Sequence, residues 1–570
     1  MLKRICLGLL IVAVPSVAVA QVQENYLPAK TQLYFRWDGM EKHQADFKKS
    51  AVGKMLQGET GVFLDELWKY VLDNAKAAAQ AEPKIEPMLT DLTKVVVSLH
   101  RDGMLLGVEV DKIKPPMVRA LIVFPKAAGE SGTILQLIHK IGAETKVDVQ
   151  KAKVGKRVVH HVRIELLRLG WWAEGSDAVV FLGTTDPVAY AQDIDAKKTG
   201  IAKHLLYQKV ANFKEFKTAA RGYVDLHGLF AVAWDIDERV TKIIDETGLN
   251  GLRNITFVSG FDGASERSIA DVDASAPRKG LLSLTSQKKI SLKDMPVMPS
   301  DMSKFSASSV NLSKTYDVVT NLIVGVARIV SPDEVENIKE GIKGFQNAIG
   351  VDFGKDLFEN FGDVMVTYSS PSDGFLGTGA VVAIQVKDGK KIIDTFDKLK
   401  KAIPPFPGGA VSVKNSKYRG GEIIQIGIES PQTNAHIATL GIYKNWFIYT
   451  QYPTAIKGFI MRQEGDLPAW KPDESLNKVL AQFPNQFTSI QVSDPRPVVQ
   501  TALSIAPFAL SMANQFGPLA LRDGGYRPFD LNLIPHPQEA TRHLFPNVTV
   551  GIDDGKRIRT ETRGSLLLPF

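Results

Sequence analysis

The chain has 570 residues, 44% of them apolar, and its 69 Lys and Arg outweigh 62 Asp and Glu to leave a formal net charge of +7. That length and apolar content support two or more domains with packed cores. So small a charge excess, with no run of five or six basic residues, excludes a concentrated nucleic-acid footprint; the densest clusters, Lys398 to Lys401 and Lys288-Lys289, read as solvated faces. The N-terminus carries Lys3 and Arg4, an apolar run from Ile5 to Val14, and Ala18-Val19-Ala20 before Gln21. This pattern is a secretory signal peptide spanning residues 1–20, with an apolar core too short to cross a bilayer comfortably. The protein is therefore expected to be exported, to the periplasm or the extracellular space. Loss of the two basic leader residues lowers the net charge from +7 to +5, and loss of Cys6, the one cysteine, leaves no thiol. A mature chain without thiols has no disulfide, no thiolate metal site and no cysteine nucleophile.

Beyond the leader, the same elements are predicted twice. Leu27-Pro28 precedes an alternating run from Gln32 to Trp37, and Met298-Pro299 precedes another from Ser303 to Leu312; both read as strands. A helix follows each, through Leu64, Leu67, Trp68, Val71, Leu72 and Ala75 in one half, and Val335, Ile338, Ile342, Phe345 and Ile349 in the other. The second of these has Ser331 placed to cap it, Pro332 in its first turn, Asp333 and Glu334 to complement its dipole and Gly350 to end it. Lys94 to Leu99 and Asp363 to Tyr368 are predicted as strands, leading through glycine-containing loops to Val118–Phe124 and Ala380–Val386. Amphipathic helices come next, on Ile134, Leu135, Leu137, Ile138 and Ile141, and on Ile392, Ile393, Phe396, Leu399 and Ile403. Hairpin strands Val158–Ile164 and Ile423–Ile428 follow Gly155 and Gly420-Gly421.

The clearest internal likeness joins Leu169–Ile194 to His436–Ile460: two apolar strands with a tight turn between them, then a proline, Pro187 or Pro453, opening a helix. Proline suits that place because its missing N–H would be unpaired in the first turn anyway. Lys209–Phe216 resembles Lys478–Phe487, and each leads to a strand ending in an acidic residue able to start a helix, Asp225 and Asp494. Asn254 to Asp262-Gly263 and Asn547 to Asp554-Gly555 close each half with an Asp-Gly hairpin and a charged strand. The expected fold is α+β, with homologous modules at 26–290 and 291–570, each a predominantly antiparallel sheet covered by helices.

With Gly350 to Asp363 (GVDFGKDLFENFGD), the Leu27-Pro28 type of opening and the repeated hairpins, the chain resembles a broad group of exported bacterial proteins known only as domains of unknown function. The resemblance spans both modules and rests on glycines and apolar spacings. It implies a two-module fold and brings no catalytic residues with it.

The motifs that could carry chemistry have plainer readings. His160-His161 cannot serve one metal site, because neighbours in a strand point to opposite faces, and no His-x-x-x-His or HExxH spacing puts two histidines on one helical face. Gly129-Glu130-Ser131-Gly132 lacks the spacing of a serine elbow, and Ser286 to Lys289 matches SxxK by coincidence. Gly374 to Ala380 has neither the glycine order of a phosphate loop nor a Lys-Ser/Thr after it, and reads as a hairpin loop. Asp553-Asp554-Gly555 lacks the alternating ligands of a calcium loop, and the Asn254 and Asn547 sequons fall in strands. Trp171, Trp172, Tyr443, Trp446, Tyr449 and Tyr452 offer a stacking surface for a glycan or peptide, or else alternate between core and cover.

No cofactor, metal or catalytic residue is therefore assigned. The leading reading is a non-enzymatic envelope protein that binds a protein, lipid or polymer partner; the rival is a cryptic hydrolase whose Asp, Glu or His residues meet in the inter-module cleft. Pro497–Leu521, uncharged and long enough to cross a membrane, is expected to be a buried, interrupted helix. Pro507, Gly517 and Pro518 would break it, Gln500, Ser504, Ser511, Asn514 and Gln515 oppose a hydrocarbon setting, and Val499, Leu503, Ala506 and Leu510 mark its inward face.

Overall fold

The computed structural model describes residues 23–79, 85–129, 134–138, 148–234, 237–374, 377–402, 410–429, 434–520 and 525–566. The expected leader, the loop at Glu130–Thr133, and Ile141, Phe375, Leu376, Ile403 and Leu521 lie outside the described residues. The fold is α+β. In the first half of the chain the strands are β1 (Leu33–Trp37), β2 (Met104–Lys112), β3 (Met117–Phe124), β4 (Gln150–Val154), β5 (Arg157–Ile164), β6 (Leu167–Glu174), β7 (Asp177–Gly183), β8 (Lys217–Asp225), β9 (Asn254–Asp262) and β10 (Ser265–Asp273). In the second they are β11 (Lys304–Ser309), β12 (Phe361–Ser369), β13 (Ala380–Val386), β14 (Ala410–Tyr418), β15 (Gly421–Glu429), β16 (Asn434–Tyr443), β17 (Trp446–Thr450), β18 (Ser489–Ser493), β19 (Asn547–Asp553) and β20 (Arg557–Gly564).

The 20 strands of the described residues form one sheet. Its antiparallel pairings run β4-β5-β6-β7-β3-β2-β1-β8-β9-β10 and then β20-β19-β18-β11-β12-β13-β17-β16-β15-β14. The strand order of one half is the order of the other read from the opposite edge, and the two meet through their last strands.

The helices needed below are α1 (Glu59–Ala79), α2 (Ile85–Asp102), α3 (Pro187–Asp195), α4 (Leu205–Ala211), α5 (Leu226–Ala233), α6 (Glu238–Thr247), α7 (Leu312–Val330), α8 (Val335–Ile349), α9 (Gly389–Ala402), α10 (Pro453–Glu464), α11 (Glu474–Leu480) and α12 (Pro495–Ala520). Pro187 and Pro453 do open α3 and α10, and Asp186 caps α3 by accepting from the Val188 N–H. These two helices lie on the core face of the sheet. Tyr190, Ala191 and Ile194 pack on Trp172, Val179 and Phe181, and Ile456, Phe459 and Ile460 on Val366, Ile448 and Val548. Each large apolar side chain buried there contributes about 1.5–3 kcal/mol. The sheet's other face is used as well: Phe447, alternating with core residue Ile448, joins Phe361, Ile442 and Ile392 of α9.

Helices also cross between the halves. Phe63 of α1 packs with Leu503 of α12, Phe529 and Ala540, the Tyr70 and Tyr526 hydroxyls are 2.8 Å apart, and Asn74 exchanges hydrogen bonds with the Arg527 backbone. Conversely, α7 of the second half packs on α6 of the first, where Gly325 leaves room for the Glu246 side chain.

Four expectations need correction. Lys94–Leu99 is helical, inside α2; Val95 packs against the core cluster that holds Trp171 while Val96 and Val97 are exposed, and the strand preference of a β-branched run is weak enough for its surroundings to override. Gly103, at φ 86°, ends the helix and the strand begins at Met104. The alternating run after Met298-Pro299 stops at Ser309, and α7, an element absent from the sequence reading, follows with Asn311 as its side-chain cap. Ser331 makes no side-chain cap; its carbonyl accepts from the Glu334 N–H at 3.0 Å in a short 3-10 turn before α8, which Gly350 ends at φ 65°. Finally, α12 is neither interrupted nor buried. It runs unbroken through Pro507 and Pro518, because an internal proline deletes one hydrogen bond and bends a helix without having to end it. Its inward face is the expected one, with Leu503 buried and Val499 and Leu510 beside it.

Candidate functional site

The rival hydrolase would need its carboxylates at the join of the halves, and that join is highly charged. On one face of the β10–β20 pair, Arg267 stands opposite Arg563, Ile269 opposite Glu561, Asp271 opposite Arg559 and Asp273 opposite Arg557. Two arginines facing each other would repel, but Glu561 sits between them and accepts from Nε of Arg267 and Nε of Arg563, each at 2.9 Å. Glu215 accepts from Arg267 at 2.9 Å, Asp262 from Arg563 at 3.0 Å and Asp271 from Arg557 at 3.4 Å. Each of these carboxylates is engaged by a guanidinium. The arrangement fastens the halves together.

A second charged region lines a cleft of 580 Å³ beside β1, with Arg36, Asp38, Lys42, Asp102, Lys126 and Asp177 among its walls. Asp38 accepts from Arg36 Nε at 2.6 Å and from Arg221 Nη1 at 2.8 Å. Burial pushes its carboxyl up, but Arg221 and Arg36 more than offset this and hold it well below the usual carboxylate range. His43 Nε2, at 3.7 Å, is too far for a true hydrogen bond. Asp102 behaves similarly: burial raises it, and Arg101 and Lys126 bring it below its ordinary value. Away from this cleft, on β2, Glu109 is raised by burial against the pull of Arg119 at 3.2 Å. Among the described residues, no group of three His, Cys, Asp or Glu side chains could hold a metal ion.

The residues singled out in the sequence are placed as follows. His160 stacks on Trp171 with ring centroids 5.8 Å apart. Trp171, Trp172, Tyr443 and Trp446 are buried, whereas Tyr449 and Tyr452 are exposed and Tyr452 stacks on His436. Asp553 pairs with Arg278, and Asp554 accepts from the Lys556 and Arg557 N–H groups in the hairpin turn. Asn254 donates to Asp273, and Asn547 accepts from the Ser565 N–H.

The sequence reading missed a pair of corresponding cavities. In the first half, His204 precedes α4 and Asp225 ends β8; His204 Nε2 lies 3.9 Å from Asp225 Oδ2 and its ring stacks on Tyr223 with centroids 4.9 Å apart. The cavity there is 680 Å³, lined also by Leu206, His227, Arg253 and Asn254. In the second half, Asp473 precedes α11 and Asp494 follows β18, and Arg496 donates to Asp473 at 2.8 Å and to Asp494 at 2.6 Å. That cavity is only 210 Å³. Laying the halves over one another in sequence, through Asp225 and Asp494, would have shown His204 opposite Asp473 and His227 opposite Arg496.

Among the described residues, the outer side of α12 is an exposed apolar stripe. Val498 is 66% exposed, Phe508 70% and Leu519 76%, and Ile505, Met512 and Phe516 are exposed too. At 100° per residue these six fall within an arc of about 80° and extend about 32 Å along the axis. No charged residue lies between Arg496 and Arg522. Neighbouring α1 adds exposed Leu64, Trp68 and Val71 beside the face that meets the second half. Among the described residues no helix is long and apolar enough to cross a membrane.

No protein-family model matches the chain, and no curated protein does. Among solved structures it is similar to crystal form III of TP0453, at 6% identity and a TM-score of 0.25 over 47% of this chain and 87% of that one. Crystal form I of TP0453 gives 8% identity and a TM-score of 0.24, over 47% of this chain and 86% of that one.

Proposed function

We propose that the protein is an exported, non-enzymatic component of the cell envelope, built from two homologous modules, and that it binds the surface of a lipid bilayer through α12. The observation that carries this is the uncharged apolar stripe from Val498 to Leu519, exposed over its whole length. A water-facing helix ordinarily carries charge on its outer side, and six large apolar side chains in one line form the face of a helix lying in the bilayer interface. Nothing on the stripe repels an anionic surface, since no acidic residue falls between Asp494 and Asp523. Export is supported by the residue 1–20 pattern, and duplication by the matched strand order of the halves.

The test is sedimentation of the purified chain with vesicles of phosphatidylglycerol and phosphatidylethanolamine, compared with pure phosphatidylcholine. Pelleting with the anionic vesicles, lost in Ile505→Gln/Phe508→Gln, is the expected result. A chain that remains in the supernatant with every vesicle overturns the reading. So does one that buries the stripe in a dimer, seen as a doubled mass on size exclusion that the double variant halves.

A further inference from the structure

The two corresponding cavities differ in one physical respect. In the second half the space is filled from within: the Arg496 guanidinium lies between Asp473 and Asp494, donating 2.8 Å to one and 2.6 and 2.9 Å to the other. The first half has His204 where the second has Asp473, and His227 where it has Arg496. Its cation comes from another wall, since Arg253, immediately before β9, stands where Pro546 precedes β19. The His227 N–H donates to the Arg253 carbonyl at 2.9 Å, fixing those two walls to each other.

We infer that the cavity at His204 and Arg253 is a binding site for a small carboxylate carrying a neighbouring N–H donor, as an amino acid or the C-terminal residue of a peptide presents. Arg253 lines the cavity, and among the described residues no carboxylate lies within ion-pair distance of its guanidinium, a planar donor set that matches a carboxylate in bidentate fashion. Asn254 lines the cavity, and its Oδ1, like His204 Nδ1, has no hydrogen-bond partner within the chain; buried polar atoms are nearly always paired, and a turn of the Asn254 amide toward the cavity offers this oxygen to the ligand's N–H. Asp225, already capping α5 through the Gly228 N–H at 3.0 Å, stands on the opposite wall, where its acceptor oxygens disfavour a polyanion. Leu205, 78% exposed, and Leu206 beside it flank the opening and select an apolar side chain. The volume of 680 Å³ falls within the range of small-molecule sites. This inference is independent of the bilayer surface on α12.

Isothermal titration of the full chain with N-acetyl-leucine, L-leucine, acetate and inorganic phosphate tests it. N-acetyl-leucine or L-leucine binds at least ten-fold more tightly than acetate or phosphate, and the stronger of the two identifies a peptide terminus or a free amino acid as the source. Arg253→Gln weakens binding at least ten-fold, and Arg253→Lys weakens it less. The double variant His204→Asp/His227→Arg copies the second half's clamp and abolishes binding while leaving the melting temperature at or above that of the parent, which separates occlusion from misfolding. Equal binding of phosphate, binding unchanged in Arg253→Gln, or no heat with any probe overturns the inference.

Discussion

Asp38 is a carboxylate that the fold surrounds with positive charge before burying it. Its side chain is 3% exposed, and its partners Arg36 and Arg221 are cross-strand neighbours on β1 and β8. Removing one member of such a group leaves uncompensated buried charge, at a cost of about 3–5 kcal/mol. Asp38→Asn is therefore expected to lower the urea midpoint without changing the slope of the transition. Because the folded carboxyl is held below its unfolded value, the stability it contributes is present above about pH 4 and is lost as pH falls through the folded value. His204 responds at higher pH. Burial lowers its pKa, with Asp225 pulling the other way, so the folded state holds the ring neutral while the unfolded chain takes up a proton near pH 6.5. Stability from this group is full above that value and declines on acidification through the folded pKa. The difference in unfolding free energy between parent and His204→Gln, measured from pH 7.5 to 5, is expected to shift against the parent as pH falls; a constant difference overturns the assignment.

At the scale of elements, α12 separates two effects of apolar residues. Leu503 is 7% exposed in the cluster with Phe63 and Phe529, so Leu503→Ala is expected to cost about 2–5 kcal/mol in chemical denaturation. Phe508, exposed on the other side, is expected to change stability by less than about 0.5 kcal/mol when replaced by Gln, while vesicle binding falls. The sequence carried the first half of this distinction, since Val499, Leu503 and Leu510 were readable as an inward face. It did not carry the second, because apolar periodicity reports that a stripe wants to leave water and not which neighbour covers it. Lys94–Leu99 was misleading for a related reason: three successive valines have strand propensity, but that preference depends on what the residues pack against, and here Val96 and Val97 face solvent. Pro187, Pro453 and the Asp-Gly turns were legible because they fix backbone torsions locally, whereas the His204 cavity is assembled from residues tens of positions apart. The β10–β20 pairing lay further out of reach, since strand charge says nothing of which strand lies alongside.

For the whole molecule, that pairing decides whether the halves are independent. Segments 26–290 and 291–570, expressed separately, each expose a long edge strand and lose the contacts of α1 and α7 with the opposite half. Mixing them is expected to give a one-to-one complex on size exclusion, weaker at 1 M salt than at 50 mM because the charges at the join are only partly shielded from solvent. Two halves that stay apart under all conditions would show that the join contributes little. The same pairing also sets a timetable for synthesis. Arg267 and its partner Glu561 are 294 residues apart, so at roughly 5–20 residues per second the ribosome leaves β10 without its neighbour for about 15–60 s. An unpaired edge left waiting recruits other chains. Charged side chains on an edge oppose such recruitment, and β10 carries Arg267 and Asp271, the same residues that later pair with Glu561 and Arg557 across the join.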